Sequence, residues 1–218
     1  HIYDVKDKTT QQIALGNYQD FYIPRIKWTN DNNFLSVQVM NRHQNNLDLH
    51  FVDAKTGATK IVLNEKDKYY IDITDNLTFL DDNSFIWTSE KDGFNHIYHY
   101  DKNGKLLNQI TKGDRKSTRL YGYDAKTKTI FYQSVENGSI NRDIYKIGLN
   151  GKNKVRLSSQ NGTNKATFSP NFQYFINSFS SANHPPKYTL VETKSKKELK
   201  TIVDNSALTE KLKKYNLL

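Results

Sequence analysis

Six histidines, one pair of adjacent aspartates and ten glycines are the residues of this chain whose chemistry would depend on spacing. The histidines are His1, His43, His50, His96, His99 and His184, with one close pair at His96 and His99. Residues three apart on a strand face opposite sides of the sheet, so that pair cannot ligate one ion from a regular strand, and no metal site is expected. His96, at the end of Glu90-Lys91-Asp92-Gly93-Phe94-Asn95-His96, reads as a general base or, more strongly, as a hydrogen-bonding residue that ties down a neighbouring element or turn. Asp81 and Asp82 form a carboxylate pair, but adjacent acids build turns more often than acid–base couples, which need two environments that push their pKa values apart. No serine lies in a Gly-x-Ser-x-Gly elbow, and neither a phosphate-cradling Gly-x-x-x-x-Gly-Lys loop nor a Gly-x-Gly-x-x-Gly turn occurs. No catalytic residue and no cofactor is expected. With no cysteine, disulfides and thiolate metal sites are excluded, while the compartment stays open.

The elements that carry these residues repeat. An aromatic-polar turn returns at Trp28-Thr29-Asn30-Asp31-Asn32, Phe79-Leu80-Asp81-Asp82-Asn83, Tyr123-Asp124-Ala125-Lys126 and Phe168-Ser169-Pro170-Asn171, with starts 51, 44 and 45 residues apart. A second landmark keeps the same beat: Phe51-Val52-Asp53-Ala54-Lys55-Thr56-Gly57 is echoed by Tyr98 to Gly104, by Tyr145 to Gly151 and more loosely by Leu190 to Ser195. Each copy puts Asp, Asn or Gly where a hairpin needs positive φ or a side chain that bonds its own turn, and apolar alternation flanks it. A period of about 40–50 residues with several short strands per repeat marks a β-propeller built of four-stranded blades. The expectation is all-β: about four antiparallel blades at about 21–64, 77–111, 117–158 and 164–203, preceded by outer strands of a partial blade at about 1–15. A short helix over 206–216 is expected at the C-terminal end, with Ser206 as N-cap, Glu210 favouring the first turn and Lys211, Lys213 and Lys214 the last. Leu208 and Leu212 would form an apolar face without a partner.

Composition narrows the function classes. Of 218 residues, 36% are hydrophobic and 12% aromatic, dominated by 14 Tyr and 11 Phe. Such a mixture suits a sheet core better than helices. A membrane-spanning helix needs roughly 18 or more apolar residues in a row, and no such run occurs. The net charge of +9 invites a nucleic-acid reading, but the lysines are spread over turns, and Lys187 to Lys214 is interrupted by Glu192, Glu198, Asp204 and Glu210. A solvated basic surface is the favoured reading, with no nucleic-acid partner.

At Ser89-Glu90-Lys91-Asp92-Gly93-Phe94-Asn95-His96-Ile97-Tyr98 the chain resembles the propeller domain of the dipeptidyl peptidase IV family of serine peptidases. Tyr22 to Trp28 is similar to the family's lead-in to the preceding blade, and Ile110-Thr111-Lys112-Gly113 to the exit of the blade carrying the histidine. Phe168-Ser169-Pro170 and Ser178 to Leu190, with Pro185-Pro186 read as a loop or blade edge, resemble the last blade. Asp204-Asn205-Ser206-Ala207-Leu208 resembles the connection into the peptidase domain. The resemblance implies that Ser89, Glu90, Gly93, His96 and Tyr98 are structural residues of a family motif, and that the intact parent removes N-terminal dipeptides, commonly after Pro or Ala.

The departures bear on function. The family's catalytic serine, aspartate and histidine lie in an α/β-hydrolase domain after the propeller, and its pair of adjacent glutamates lies upstream of this region; this chain ends at Leu218 and has no adjacent glutamate pair. The expectation is the second half of a propeller: residues 1–205 a partial propeller, 206–218 a helix leading to an absent peptidase domain, and no catalytic residue in between. Its role would be to scaffold the enzyme and restrict access so that only slender peptides reach the nucleophile, with no residue singled out as a substrate contact. Peptide substrate would be met only by the intact parent, periplasmic or extracellular, with or without a membrane anchor. The alternative is a free-standing propeller segment that binds a protein or glycan. A cut propeller of an eight-bladed family would leave two open blade faces, which a homodimer could cover.

Overall fold

The computed structural model describes residues 1–215. The chain opens with a two-stranded antiparallel ladder, β1 (Ile2–Asp4) and β2 (Thr9–Gln11). Four four-stranded sheets follow. The first comprises β3 (Phe21–Trp28), β4 (Phe34–Asn41), β5 (Asn46–Asp53) and β6 (Thr59–Lys66). The second comprises β7 (Thr78–Phe79), β8 (Phe85–Ser89), β9 (His96–Tyr100) and β10 (Leu106–Gln109). The third comprises β11 (Ser117–Asp124), β12 (Thr129–Ser134), β13 (Asp143–Gly148) and β14 (Val155–Arg156). The fourth comprises β15 (Thr163–Phe168), β16 (Tyr174–Ser181), β17 (His184–Glu192) and β18 (Glu198–Val203). In every sheet each strand pairs with its neighbour in sequence, which makes each sheet one propeller blade. The class is therefore the all-β propeller fragment that the repeats imply, with a partial blade ahead of it and one short helix behind.

The chain packs as two compact units, one of His1–Lys91 with Tyr98–Leu107, the other of Asp92–Ile97 with the chain from Asn108 onward. In the first unit, β4 and β5 are buried on both faces, so their alternation sorts side chains between two cores and not between core and water. Leu35, Val37, Val39 and Val52 pack with Ile2, Ile13, Leu15 and Tyr18. Met40, Leu47 and Leu49 face the other way and pack with Phe79, Phe85, Trp87, Tyr98 and Tyr100 of the second blade. In the second unit, Phe131, Ile144 and Leu157 of the third blade pack with Ala166, Phe175 and Val191 of the fourth.

At two of the recurring glycines a neighbouring backbone leaves no room for a side chain. Gly104 has φ 86°, and a Cβ there would stand 1.5 Å from the Val62 carbonyl oxygen of the preceding blade. Gly57 has φ 71°, and its Cβ would stand 2.1 Å from the Gln12 carbonyl oxygen. Positive φ alone disfavours a side chain; backbone at these distances forbids one.

Two expectations are corrected. The helix α1 spans Ser206–Leu212, its N-cap is Asn205 in the left-handed conformation and not Ser206, and its first turn holds no acidic residue. Ser206 enters the helix because Asp204 accepts its backbone N–H at 3.0 Å, which completes the turn one residue earlier. Asn216, expected to close the helix, lies outside the described residues. Of the two readings of Pro185-Pro186, the loop is corrected and the blade edge stands: both lie inside β17, but β18 begins to pair only at Tyr188, and a register shift between Phe179 and Ser181 relieves the other side, so neither missing N–H is needed.

Candidate functional site

The second blade carries the motif residues, and in the first unit they form a clamp around one lysine. The Trp87 indole N–H donates to Glu65 at 2.9 Å, and Ser89 also hydrogen-bonds Glu65. The Ser89 hydroxyl accepts the backbone N–H of Lys91 at 3.2 Å. Lys91 Nζ donates to the Tyr100 hydroxyl at 2.7 Å and sits 4.0 Å from the centre of the Tyr98 ring. The second of these is a cation–π contact. Burial raises the Glu65 carboxyl above its ordinary range against the pull of Ser89, Trp87 and Lys91, and burial pushes the Tyr100 phenol up to about 12. An ammonium held on aromatic faces beside a phenol that stays protonated is a packing device, not a proton-transfer relay. Glu90 is exposed.

His99 and Ser84 are the nearest approach to a nucleophile and base in this blade, with His99 Nε2 2.8 Å from the Ser84 hydroxyl. Asp82 accepts the Ser84 backbone N–H at 2.9 Å, and the Ser84 hydroxyl holds the Asp82 carboxyl below its usual range. Carboxylate and imidazole thus converge on the hydroxyl from two sides, whereas nucleophilic activation needs serine, base and acid in series. Ser84 is also 3% exposed, which bars a substrate carbonyl from it. Asp82 is a turn former, with its partner Asp81 exposed beside it.

In the second unit, His96 is 1% exposed and both ring nitrogens are engaged. The Gly113 carbonyl, 2.8 Å from Nε2, can only accept, so the proton is assigned to Nε2, and Thr111 donates to Nδ1 at 3.2 Å. Thr111 in turn accepts the Ile97 N–H at 2.9 Å. His96 therefore fastens the strand start to the connection between β10 and β11. Gly93, three residues before it, has φ 98° and open space where a Cβ would point.

Two buried polar clusters have no motif in the sequence. In the first unit, the Tyr18 hydroxyl lies 2.8 Å from Asp48 and 2.7 Å from His50 Nε2, and Asn64 donates to Asp48 at 2.6 Å. Burial raises the Tyr18 phenol strongly, with Asp48 adding to it, and burial lowers His50 against the pull of Asp48. In the second unit, Asp143 is 0% exposed and accepts from Arg156 at 2.8 Å and Ser158 at 2.7 Å. Asn164, also 0% exposed, accepts from Asn177 at 3.2 Å and donates to the Gln160 carbonyl at 2.9 Å, while its own backbone carbonyl accepts from Gln133 at 2.6 Å. Both clusters bond polar side chains across the joins between elements, yet each keeps buried atoms without a hydrogen-bond partner: His50 Nδ1 in the first, and Asp143 Oδ2, Arg156 Nε and Asn177 Oδ1 in the second. Among the described residues no group of three or more His, Cys, Asp or Glu side chains could hold a metal ion.

Blade architecture and a buried, fully engaged histidine define a structural propeller module. The model of the N-terminal region of dipeptidyl peptidase IV matches residues 1–186, and the chain belongs to that family. It is 26% identical over 219 residues to dipeptidyl peptidase 4 of Trichophyton rubrum, covering 96% of this chain and 28% of the relative. It is 27% identical over 223 residues to dipeptidyl peptidase 4 of Arthroderma otae, covering 97% of this chain and 28% of that protein. The crystal structure of Porphyromonas gingivalis dipeptidyl peptidase 4 superposes with a TM-score of 0.91 at 42% identity, over 97% of this chain and 30% of that one. A putative dipeptidyl aminopeptidase IV of Bacteroides ovatus shares the fold at a TM-score of 0.80 and 23% identity, over 93% of this chain and 32% of that one. The chain thus spans about 28% of the length of the relatives it matches.

Proposed function

We propose that this chain is the non-catalytic propeller portion of a serine-type dipeptidyl aminopeptidase that removes N-terminal dipeptides, commonly after Pro or Ala. The observation that carries this reading is the superposition on P. gingivalis dipeptidyl peptidase 4 over 97% of this chain but 30% of that one. On this reading residues 1–205 are the propeller portion, the segment from 206 onward leads to an α/β-hydrolase domain that holds the catalytic residues, and the fragment itself is not an enzyme. The propeller's contribution is shape: it limits the width of peptide that reaches the nucleophile, and its residues serve by holding blades together. Ser89, Glu90, Gly93, His96 and Tyr98 are then structural, which agrees with the burial and bonding of Ser89, His96 and Tyr98. The parent works in the periplasm or outside the cell; among the described residues no helix is long and apolar enough to cross a membrane.

The test uses the longer protein in which these residues precede a hydrolase domain. Loosening a blade seam with Gly104→Ala should let wider polypeptides be cut while turnover of a Gly-Pro chromogenic substrate is kept. Unchanged selectivity by substrate width in a variant that is measurably loosened would contradict the gating role. Association is a second element of the reading: Tyr174, Ile176, Tyr188 and Ile202 of the fourth blade are exposed, and a two-fold pairing of such faces would cover them. Light scattering after size exclusion should then show a dimer; a single species at the 25.4 kDa monomer mass would reject it.

A further inference from the structure

The first unit contains a cavity of about 390 Å³ between the first two blades, at the end where their first-to-second and third-to-fourth strand turns lie. In a four-stranded antiparallel blade the chain leaves from the opposite end, so this opening is not the one occupied by the connections onward. Its volume falls in the range of small-molecule sites, roughly 300–1,000 Å³. Phe34, Phe51 and Val62 line it. That floor is rigid, because the centre of the Phe51 ring lies 5.7 Å from that of Phe79 and 5.8 Å from that of Phe85 in the aromatic core.

The rim carries both signs of charge, from Asp31, Asp53, Lys60 and Lys102. The acids are fixed in place. Asp31 accepts from the Asn33 backbone and side-chain amides at 3.0 and 2.8 Å, and Asp53 from the Lys55 and Thr56 backbone N–H groups at 2.9 and 2.8 Å. Lys60 Nζ rests on the Asn103 side-chain oxygen at 3.3 Å, with Asn103 also on the rim. Preorganised charges spare a ligand the ordering cost of floppy side chains. A simple anion would meet the two carboxylates, a simple cation the two ammonium groups, and a neutral sugar would need neither set. What complements two acids, two lysines and an apolar floor is a molecule with one charge of each sign and an apolar body.

We propose that this cavity binds a zwitterionic peptide-derived ligand, an amino acid or dipeptide with an apolar side chain, with its carboxylate at Lys60 and Lys102, its ammonium at Asp31 and Asp53, and its side chain on Phe34 and Phe51. The inference stands on the cavity alone and does not depend on the peptidase reading. The experiment is an amide-shift NMR titration with the dipeptide Ala-Leu, its N-acetyl form, its C-terminal amide and glucose, using the unaltered protein, the double variant Lys60→Ala/Lys102→Ala and the blocking variant Ala58→Trp. Ala-Leu should shift the amides of Thr59, Lys60 and Val62, and either capped form should bind at least about tenfold more weakly, a difference of about 1.4 kcal/mol. In the double variant the free acid and the amide should bind alike, and Ala58→Trp, at an exposed lining position, should abolish the shifts. No shift with millimolar Ala-Leu would overturn the proposal. So would equal binding of free and capped peptides, a double variant that keeps its preference for the free carboxylate, or glucose shifting these residues while the peptide does not.

Discussion

The seam between the first and second blades and the seam between the third and fourth solve one problem in two ways. In the first, the third-to-fourth strand hairpin of the second blade brings Gly104 so near the Val62 carbonyl that no side chain fits. In the other, the equivalent hairpin of the fourth blade carries Lys196, with φ 62°, where the first blade has Gly57. The hydrogen bonds are the same: Lys196 N–H to the Glu192 carbonyl at 2.8 Å corresponds to Gly57 N–H to the Asp53 carbonyl at 2.9 Å. The turn itself therefore tolerates a side chain, and it is the neighbouring backbone that excludes one. Where that contact is absent, the seam is tied by Asn164: its side-chain amide accepts from Asn177 and donates to the Gln160 and Arg142 carbonyls, and its backbone carbonyl accepts from Gln133.

The largest effect should come from breaking the backbone seam. Gly104→Ala is expected to cost about 4 kcal/mol or more, from a disallowed φ plus a Cβ clash that only blade displacement can relieve. Urea denaturation followed by tryptophan fluorescence measures it; a loss comparable to that of Gly151→Ala would show that the two blades are not in contact at Val62. Gly151 is the internal control: its φ is 76°, but a Cβ would stand 3.2 Å from the nearest atom, the Ile110 carbonyl oxygen. Breaking the amide seam comes next. Asn164→Ala should cost about 2–4 kcal/mol, because it strands buried partners on both blades. A cost below that of an exposed substitution would mean that the apolar cluster of Phe131, Phe175 and Val191 holds that seam by itself.

How much of this was readable from the residues differs between the two seams. The backbone seam was legible as a recurrence, since Gly57, Gly104 and Gly151 return every 47 residues with Asp or Asn in the same turns, although the neighbouring backbone that excludes a side chain was not. The loosened fourth copy was legible too, as an echo without its glycine. The amide seam was not, since Asn164 and Gln133 look like ordinary solvent-facing residues of alternating strands. The same ambiguity hid Asp48 and His50: in Leu47-Asp48-Leu49-His50-Phe51 the polar positions read as exposed, yet Tyr18, some thirty residues away in sequence, covers them. Period 2 tells which residues share a face, not whether that face meets water. The helix start differs from its sequence reading for a related reason: the N-cap Asn205 turns its side chain away from the helix to donate to the Pro186 carbonyl, a partner the local sequence does not disclose.

Smaller effects sharpen the contrast. Gly151→Ala should cost about 1–2 kcal/mol, the price of φ alone. Lys196→Gly should be neutral or stabilise by up to about 1 kcal/mol, as relief of the left-handed strain is offset by added freedom in the unfolded chain. Destabilisation beyond that would mean that Lys196 makes contacts across its seam after all. A pH-dependent difference belongs to the polar cluster over the first blade. Burial lowers His50 below its ordinary 6.5, so the unfolded chain binds more protons in acid. Its contribution is complete above the unfolded value and is lost as pH falls through the lowered folded value. His50→Gln should therefore flatten stability against pH below about 6.5, measured by urea midpoints across that range; an unchanged slope would assign the acid sensitivity to other groups.

On the proposed function these residues build and hold blades and carry out no hydrolysis, and assaying the purified chain with Gly-Pro and Ala-Pro chromogenic substrates alongside a serine-directed fluorophosphonate probe tests that reading most directly. The account predicts neither turnover nor labelling, because Ser84, the serine that faces His99, is buried and its histidine and carboxylate are not in series. Turnover that tracks stoichiometric labelling of a serine in this chain would contradict it.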